Sequence, residues 1–307
     1  MKKLTTILLM LCTSISYSQT YIMNQDFSSA SGTTPPAGWG NTMISGNVND
    51  IWNFDDPGNR APGFPLIAPF AVFDGQNYST GNGAEESSLE TPYLDCSIGA
   101  NILLIFDHYF AGGNAATGKV EVWNGSSWNL VATYTAASTA VEHVIMNVSA
   151  FAGNTVDAKV RFVWSGDDAN YWAVDNVKIY APLALDAAIT TIDSPVMSFS
   201  AGTYSVECTL LNFGSDNLTT ATINWSVNGV TQTAFNWGGS LSIGQSASNI
   251  NIGSYAFNSG EVNNVIIWVS NPNGASDMNN QNDATDQNLT ASLCGVYTIG
   301  GVSPDFV

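Results

Sequence analysis

Positive charge is the scarcest resource in this sequence. Seven Lys and Arg stand against 25 Asp and Glu, with two His, and the formal net charge is −18 over 307 residues. The imbalance deepens if Lys2 and Lys3 lie in a removed segment, as argued below. A chain this acidic repels nucleic acid and anionic membranes, which excludes binding by phosphate neutralisation. Divalent cations are its natural counter-charge. Charged residues of either sign make up only 10% of the chain. Helix-stabilising charge pairs are therefore few, and no window sustains a helical period. Asn, Ser, Thr and Gly supply the polar surface, a mix that favours sheets and turns.

Cysteine is also sparse: Cys12, Cys96, Cys208 and Cys294. They are far apart, with no C-x-x-C and no zinc spacing, so neither a disulfide framework nor a structural zinc is expected. Cys208 alternates with Tyr204, Val206 and Leu210 and reads as a small buried hydrophobe. Beyond the N-terminus no apolar run approaches the length of a membrane span. Enzyme signatures are missing as well: there is no G-x-S-x-G, no H-E-x-x-H and no Gly-rich phosphate loop. His108, beside Asp107, reads as structural. Glu85 and Glu86 are neighbours and would point to opposite sides of a strand.

What is present is an address followed by strands. Lys2-Lys3, the apolar stretch from Leu4 to Ile15 and the small residues of Ser16-Tyr17-Ser18 make residues 1–18 a secretory signal peptide, with the mature chain starting at Gln19. Cys12 follows Leu11, which argues against lipidation there. Strand-like runs then cover Ile102 to Phe106, Lys119 to Trp123, Trp128 to Tyr134, Val141 to Val148, Ala158 to Trp164 and Tyr171 to Tyr180. Asn124-Gly125 sits in a four-residue hairpin loop. Residues 19–181 thus read as one sandwich. Pro182 to Leu185 reads as a short linker. A second strand series follows, with a tight hairpin turn at Asn228-Gly229. About seven strands over residues 186–291 is the size of an immunoglobulin-like sandwich. Residues 294–307 look like the opening of a further β module, as in the front part of a longer protein or a truncated product. The fold class is all-β: a jelly-roll β-sandwich followed by a smaller immunoglobulin-like one.

An ordered set of short motifs carries a family resemblance. Gln25-Asp26-Phe27 with Pro35-Pro36-Ala37-Gly38-Trp39 comes first. Ala71-Val72-Phe73-Asp74, Ser88-Leu89-Glu90-Thr91-Pro92-Tyr93-Leu94-Asp95, Val148-Ser149-Ala150-Phe151-Ala152-Gly153 and Trp172-Ala173-Val174-Asp175-Asn176-Val177 follow. The set resembles the MAM-like jelly rolls of secreted bacterial proteins, including the choice-of-anchor J and cleaved-adhesin groups. The second module is similar to CARDB-type adhesion domains through Leu211-Asn212-Phe213-Gly214-Ser215, Ile223 to Gly229 and Ser270-Asn271-Pro272-Asn273-Gly274. The resemblance implies a secreted or surface location, and type IX secretion where a C-terminal sorting domain is present. It also implies a structural calcium ion (Ca2+) tying the first strand to the last.

Asp175 is the most informative single residue. Strict alternation puts it on one face with Ala173, Val177 and Ile179, aiming a carboxylate at the core. Such a group needs a partner. A calcium ion is one, and the resemblance adds Asp26 and Asp74 to the ligand set; backbone N–H groups or Arg161 are the alternative. The stretch Asp277 to Asp283 lacks the Gly and Glu of an EF-hand loop and reads as a solvated turn. Nine Trp in a secreted β protein invite sugar stacking. Trp52, in a loop, and Trp123, opposite in phase to Val120 and Val122, are the candidate ligand-binding rings. Trp39, Trp128, Trp164, Trp172, Trp225 and Trp268 suit core packing. The spaced carboxylates of β-sandwich glycosidases, Glu-x-Asp-x-x-Glu, do not occur. The expected function is non-catalytic adhesion or binding of an extracellular glycan or protein, with no nucleic-acid partner and no membrane insertion. The alternative is an ancillary region of a larger secreted hydrolase.

Overall fold

The computed structural model describes residues 21–77, 83–196 and 199–292. The expected signal peptide and the 294–307 module lie outside them. The first sandwich alternates its strands between two antiparallel sheets. One sheet holds β1 (Tyr21–Gln25), β3 (Ala71–Asp74), β5 (Leu103–Phe110), β8 (Glu142–Asn147) and β10 (Tyr171–Tyr180). The other is ordered β2 (Gly40–Ser45), β4 (Ala84–Glu90), β9 (Lys159–Asp167), β6 (Thr117–Trp123) and β7 (Trp128–Tyr134). Apart from the β6–β7 hairpin, successive strands cross from sheet to sheet, which is the jelly-roll wrapping. A single helical turn, α1 (Ser149–Ala152), connects β8 to β9.

The inner faces of both sheets are almost wholly apolar. Phe106, Phe110, Phe162, Trp164 and Trp172 meet between them and are fully buried. β9 sends Val160, Phe162 and Trp164 inward, and β6 sends Val120 and Val122. Period-2 alternation therefore turns Lys159, Arg161, Lys119, Glu121 and Trp123 to the outer face.

The second sandwich packs a sheet of β11 (Ala187–Ser194), β12 (Gly202–Asn212) and β16 (Ser246–Phe257) against a second sheet. That sheet contains β13 (Leu218–Val227), β14 (Val230–Thr231), β15 (Phe235–Leu241), β17 (Val262–Ser270) and β18 (Ala284–Thr290). The Asn228-Gly229 turn forms as expected, with Val227 paired to Val230 and both loop residues at positive φ. Cys208 and Cys96 are buried and unpaired. The segment expected to be a linker is fixed to the second sandwich: the carbonyls of Leu183, Ala184 and Leu185 accept hydrogen bonds from the N–H groups of Ser215, Asp216 and Met278. The two sandwiches share a small apolar junction of Leu103, Ile105, Tyr180 and Ile243, flanked by Ile145 and Phe213. Among the described residues no helix is long and apolar enough to cross a membrane.

Candidate ligand-binding face

The outer face of the β2–β4–β9–β6–β7 sheet gathers three of the chain's seven cationic side chains. Register fixes the array. Glu121 and Glu90 flank Arg161 from either side, and Trp123 lies between Trp128 and Lys159. Arg161 Nε donates to Glu121 Oε2 at 2.6 Å, and its Nη1 lies 3.9 Å from Glu90 Oε1. Its guanidinium sits 4.1 Å above the Trp128 ring. Lys159 Nζ lies 3.2 Å from Glu90 Oε2 and 4.7 Å from the centre of the Tyr93 ring. Trp123 and Trp128 pack with ring centres 5.7 Å apart, tilted by 59°.

The result is a band running Trp123–Trp128–Arg161–Glu121–Glu90–Lys159–Tyr93. Its four charged side chains are only 17–22% exposed: Arg161 lies over the Trp128 ring, Lys159 over the Tyr93 ring, and the two carboxylates pair with these cations. Their geometry is therefore set before any ligand arrives, and little rotamer entropy is left to lose. Aromatic faces at both ends and fixed donors and acceptors between them suit a polar ligand with flat apolar faces. Each carboxylate here is engaged with a cation.

Trp123 was expected to face outward, and it stands half-buried in this band. Trp52 was expected to be exposed in a loop. It is instead fully buried against Phe73 and Trp172, because Asn41 clamps its backbone at both N–H and C=O. Trp52 belongs to the core. Trp128 and Trp268, placed in the core by sequence, are half-exposed on outer faces. Trp128 was legible as the cross-hairpin partner of Trp123. The Lys159 and Arg161 contacts were not, since they depend on strands about 40 and 70 residues apart.

The three carboxylates expected to share calcium do not converge. Asp74 is fully buried and held by Arg60 through two hydrogen bonds of 2.7 and 2.6 Å. It pairs with Tyr171, four residues along β10 from Asp175, so about 13 Å separates the two positions. Asp26 is exposed and accepts from Ser28 N and Oγ, which lowers its pKa. Asp175 does not face the main core either. Asn176 is a β-bulge residue at φ 52°, two residues of β10 oppose one of β5, and the phase flips there. Val177 and Ile179 point inward, whereas Asp175 shares the outer face with Ala173, directly across from Asp107. Its carboxylate accepts the Asn176 N–H at 2.7 Å, and burial pushes its pKa up to about 7. Asp107 takes His143 Nδ1 at 2.6 Å and Asn176 Nδ2 at 2.8 Å. The set fits hydrogen bonding and ion pairing better than a shared ion. No three His, Cys, Asp or Glu side chains stand at metal-binding distance among the described residues.

The 277–283 stretch is not a solvated turn. Asn279 and Asn282 donate to the buried Asp186, and Asp277 accepts the Ala187 N–H at 2.8 Å. The loop closes the start of the second sandwich. Burial raises the pKa of Asp186 to about 6 and that of Asp283 to about 7. His108 is structural, as expected: its Nδ1 accepts from Trp172 Nε1 at 3.2 Å.

No family model matches the chain, and no curated protein does. Solved structures with a related fold exist. One is the carbohydrate-binding module TmCBM61, solved with β-1,4-galactotriose: 12% identity, TM-score 0.38, 53% of this chain and 99% of that one. Another is a cleaved adhesin domain of Lys-gingipain from Porphyromonas gingivalis: 16% identity, TM-score 0.40, 53% and 100%. A third is the CARDB domain of a Pyrococcus furiosus protein, in complex with di-metal ions: 13% identity, TM-score 0.28, 36% and 89%. Likeness at this level concerns the β-sandwich alone.

Proposed function

We propose that this chain is an exported, non-catalytic binding protein whose first sandwich holds an extracellular glycan on the outer face of its β2–β4–β9–β6–β7 sheet. The observation that carries the reading is the immobilised band from Trp123 and Trp128 to Tyr93. In it Arg161 and Lys159 supply fixed donors and Glu121 and Glu90 fixed acceptors. Sugar rings present hydroxyls at their rim and C–H faces above and below. Such a ligand matches a surface of alternating rings and planar charges. The chain's net negative charge argues against polyphosphate ligands. The MAM-like and CARDB-like motifs and the N-terminal export signal belong to the same reading.

The test is glycan binding by the purified chain, first on an array and then by calorimetry. Trp128→Ala should weaken binding of the best glycan by about 2 kcal/mol, the usual size for an aromatic anchor. The melting temperature should move little, because the ring is half-exposed. Trp52→Ala should instead damage folding. Turnover of any polysaccharide by the chain, or unchanged affinity in both Trp128→Ala and Trp123→Ala, would overturn the proposal.

A further inference from the structure

Trp268 belongs to no core cluster and takes no part in the band on the first sandwich. It sits on β17, where Val265, Ile267 and Val269 turn inward and Trp268 and Ser270 turn out. Its cross-strand neighbours are Asn224 on β13 and Ala284 on β18. Asn224 Nδ2 donates to Ser270 Oγ at 2.9 Å, and Ala284 has only a methyl group. Between them the indole stays half-exposed.

The ring borders a cleft of about 370 Å³, within the size range of small-ligand sites. Asn271, just past β17, forms one wall, and Ser276, Asp277, Asn280 and Asp283 of the loop before β18 form the other. Both walls are pinned. Asn273 Oδ1 accepts from Thr219 N and Oγ1 at 2.8 and 3.0 Å, which fixes the 271–274 turn on β13. Asp277 accepts the N–H groups of Ala187 and Asn279, and the Asp283 carbonyl accepts the Val269 N–H at 3.1 Å. The cleft therefore exists before a ligand arrives, and little ordering entropy remains to be lost.

Its lining selects by charge. Residues 182–307 contain no Lys, Arg or His. The cleft thus offers a phosphate, sulfate or uronate no cation, while Asp277 and Asp283 repel it. Its polar groups are amides, hydroxyls and carboxyls, which exchange hydrogen bonds with ligand hydroxyls. Asp283 Oδ1 is buried with no hydrogen-bond partner, and the soft terminal torsion of Asp lets the carboxyl turn an oxygen toward a ligand. A hydroxyl donates to that group when it is ionised and accepts from it when it is protonated, so the match holds in either state. A metal ion or an organic cation matches only the ionised form. The indole adds a flat apolar surface for ring C–H groups.

We propose that the second sandwich carries a binding site for a neutral sugar residue, with Trp268 as its stacking platform and Asn271, Asn280 and Asp283 as its hydrogen-bonding rim. The site extends the reading of the chain as a glycan-binding protein and shares no residue with the band from Trp123 to Tyr93. That band brings Arg161 and Lys159 to its ligand and this cleft brings no cation, so the two sites differ in the sugars they accept. Two sites on one chain also raise the affinity for a polymer long enough to reach both.

The test titrates the purified full chain with soluble neutral hexasaccharides (cello-, manno- and xylohexaose). Hexagalacturonate and hexameric chitosan serve as the anionic and cationic counterparts. The indole N–H resonance of Trp268, assigned by its loss in Trp268→Phe, should shift with at least one neutral sugar and not with hexagalacturonate. Trp268→Ala should weaken that binding by about tenfold or more. Ser276→Trp, which fills the cleft from an exposed position and leaves the core untouched, should do the same. Trp128→Ala should leave it unchanged. Binding kept in Trp128→Ala and Trp123→Ala but lost in Ser276→Trp leaves this site standing without the first. Binding lost in Trp128→Ala but kept in Trp268→Ala and Ser276→Trp places the sugar on the first sandwich alone and overturns the proposal. So does a Trp268 resonance that ignores every neutral sugar, that answers hexagalacturonate equally, or that shifts only with chitosan, the mark of a cation site.

Discussion

Asp175 and Asp107 face each other across β10 and β5, each about 4% exposed, and the pair dictates a pH response. Burial first, then the Asp107 and Asp26 charges, raise Asp175 to about 7 in the folded chain, against an ordinary value of 3.8. Between those values the folded state holds more proton than the unfolded state, so this residue's contribution to stability falls as pH rises from about 4 to 7. Asp175→Asn should stabilise the chain by about 1–3 kcal/mol at pH 7.5 and change nothing at pH 4, as read from melts at both pH values. His108 acts with the opposite sign. Burial lowers it from 6.5 to about 4. The folded state therefore binds less proton in that window, and the stability linked to neutral His108 is present above 6.5 and lost as pH falls toward 4. Its ring resonances in the folded chain should show no titration above pH 5.

Strands differ in how plainly they announce themselves. β5, β6, β9 and β10 alternate or run apolar because one or both faces meet core, and their sequences say so. β4 (Ala84–Glu90) and β18 (Ala284–Thr290) are mostly polar. They are strands because neighbours, β2 and β9 for β4 and β17 for the edge strand β18, offer free N–H and C=O groups, a cause that lies outside their own residues. The bulge at Asn176 is likewise a pairing event, and it inverted the expected direction of Asp175. Turns are local chemistry and were legible. Gly229 has a φ of 77° and nothing within 4 Å of a would-be Cβ. Gly229→Ala should therefore cost about 1 kcal/mol through backbone strain alone, visible as a lower denaturant midpoint with an unchanged slope.

At the scale of the whole molecule, the junction is the feature that matters. Ile243 and Phe213 of the second sandwich meet Leu103, Ile105 and Tyr180 of the first. Beside them opens a cleft of about 530 Å³ lined by His143, Ile145, Thr191 and Thr209. The contact is small enough for one side chain to control. Ile243→Ala should cost about 2–3 kcal/mol and separate the two sandwiches into distinct calorimetric transitions. A single, unshifted transition would show that they do not depend on this contact.

The sequence by itself determined the fold class, the two strand series, the hairpin turns and the burial of Cys208. Each follows from alternation, turn residues or spacing within a few positions of the residue concerned. It also marked Trp123 as outward, since strand parity is local. Only the tertiary structure decided that Trp52 is core, that Arg60 occupies Asp74, and that Lys159 and Arg161 bridge Tyr93 to Trp128 across two strands. Nor could the sequence place the 277–283 loop beside Trp268. Those facts depend on which strands lie side by side, and that is fixed by burying both inner faces at once rather than by any segment alone.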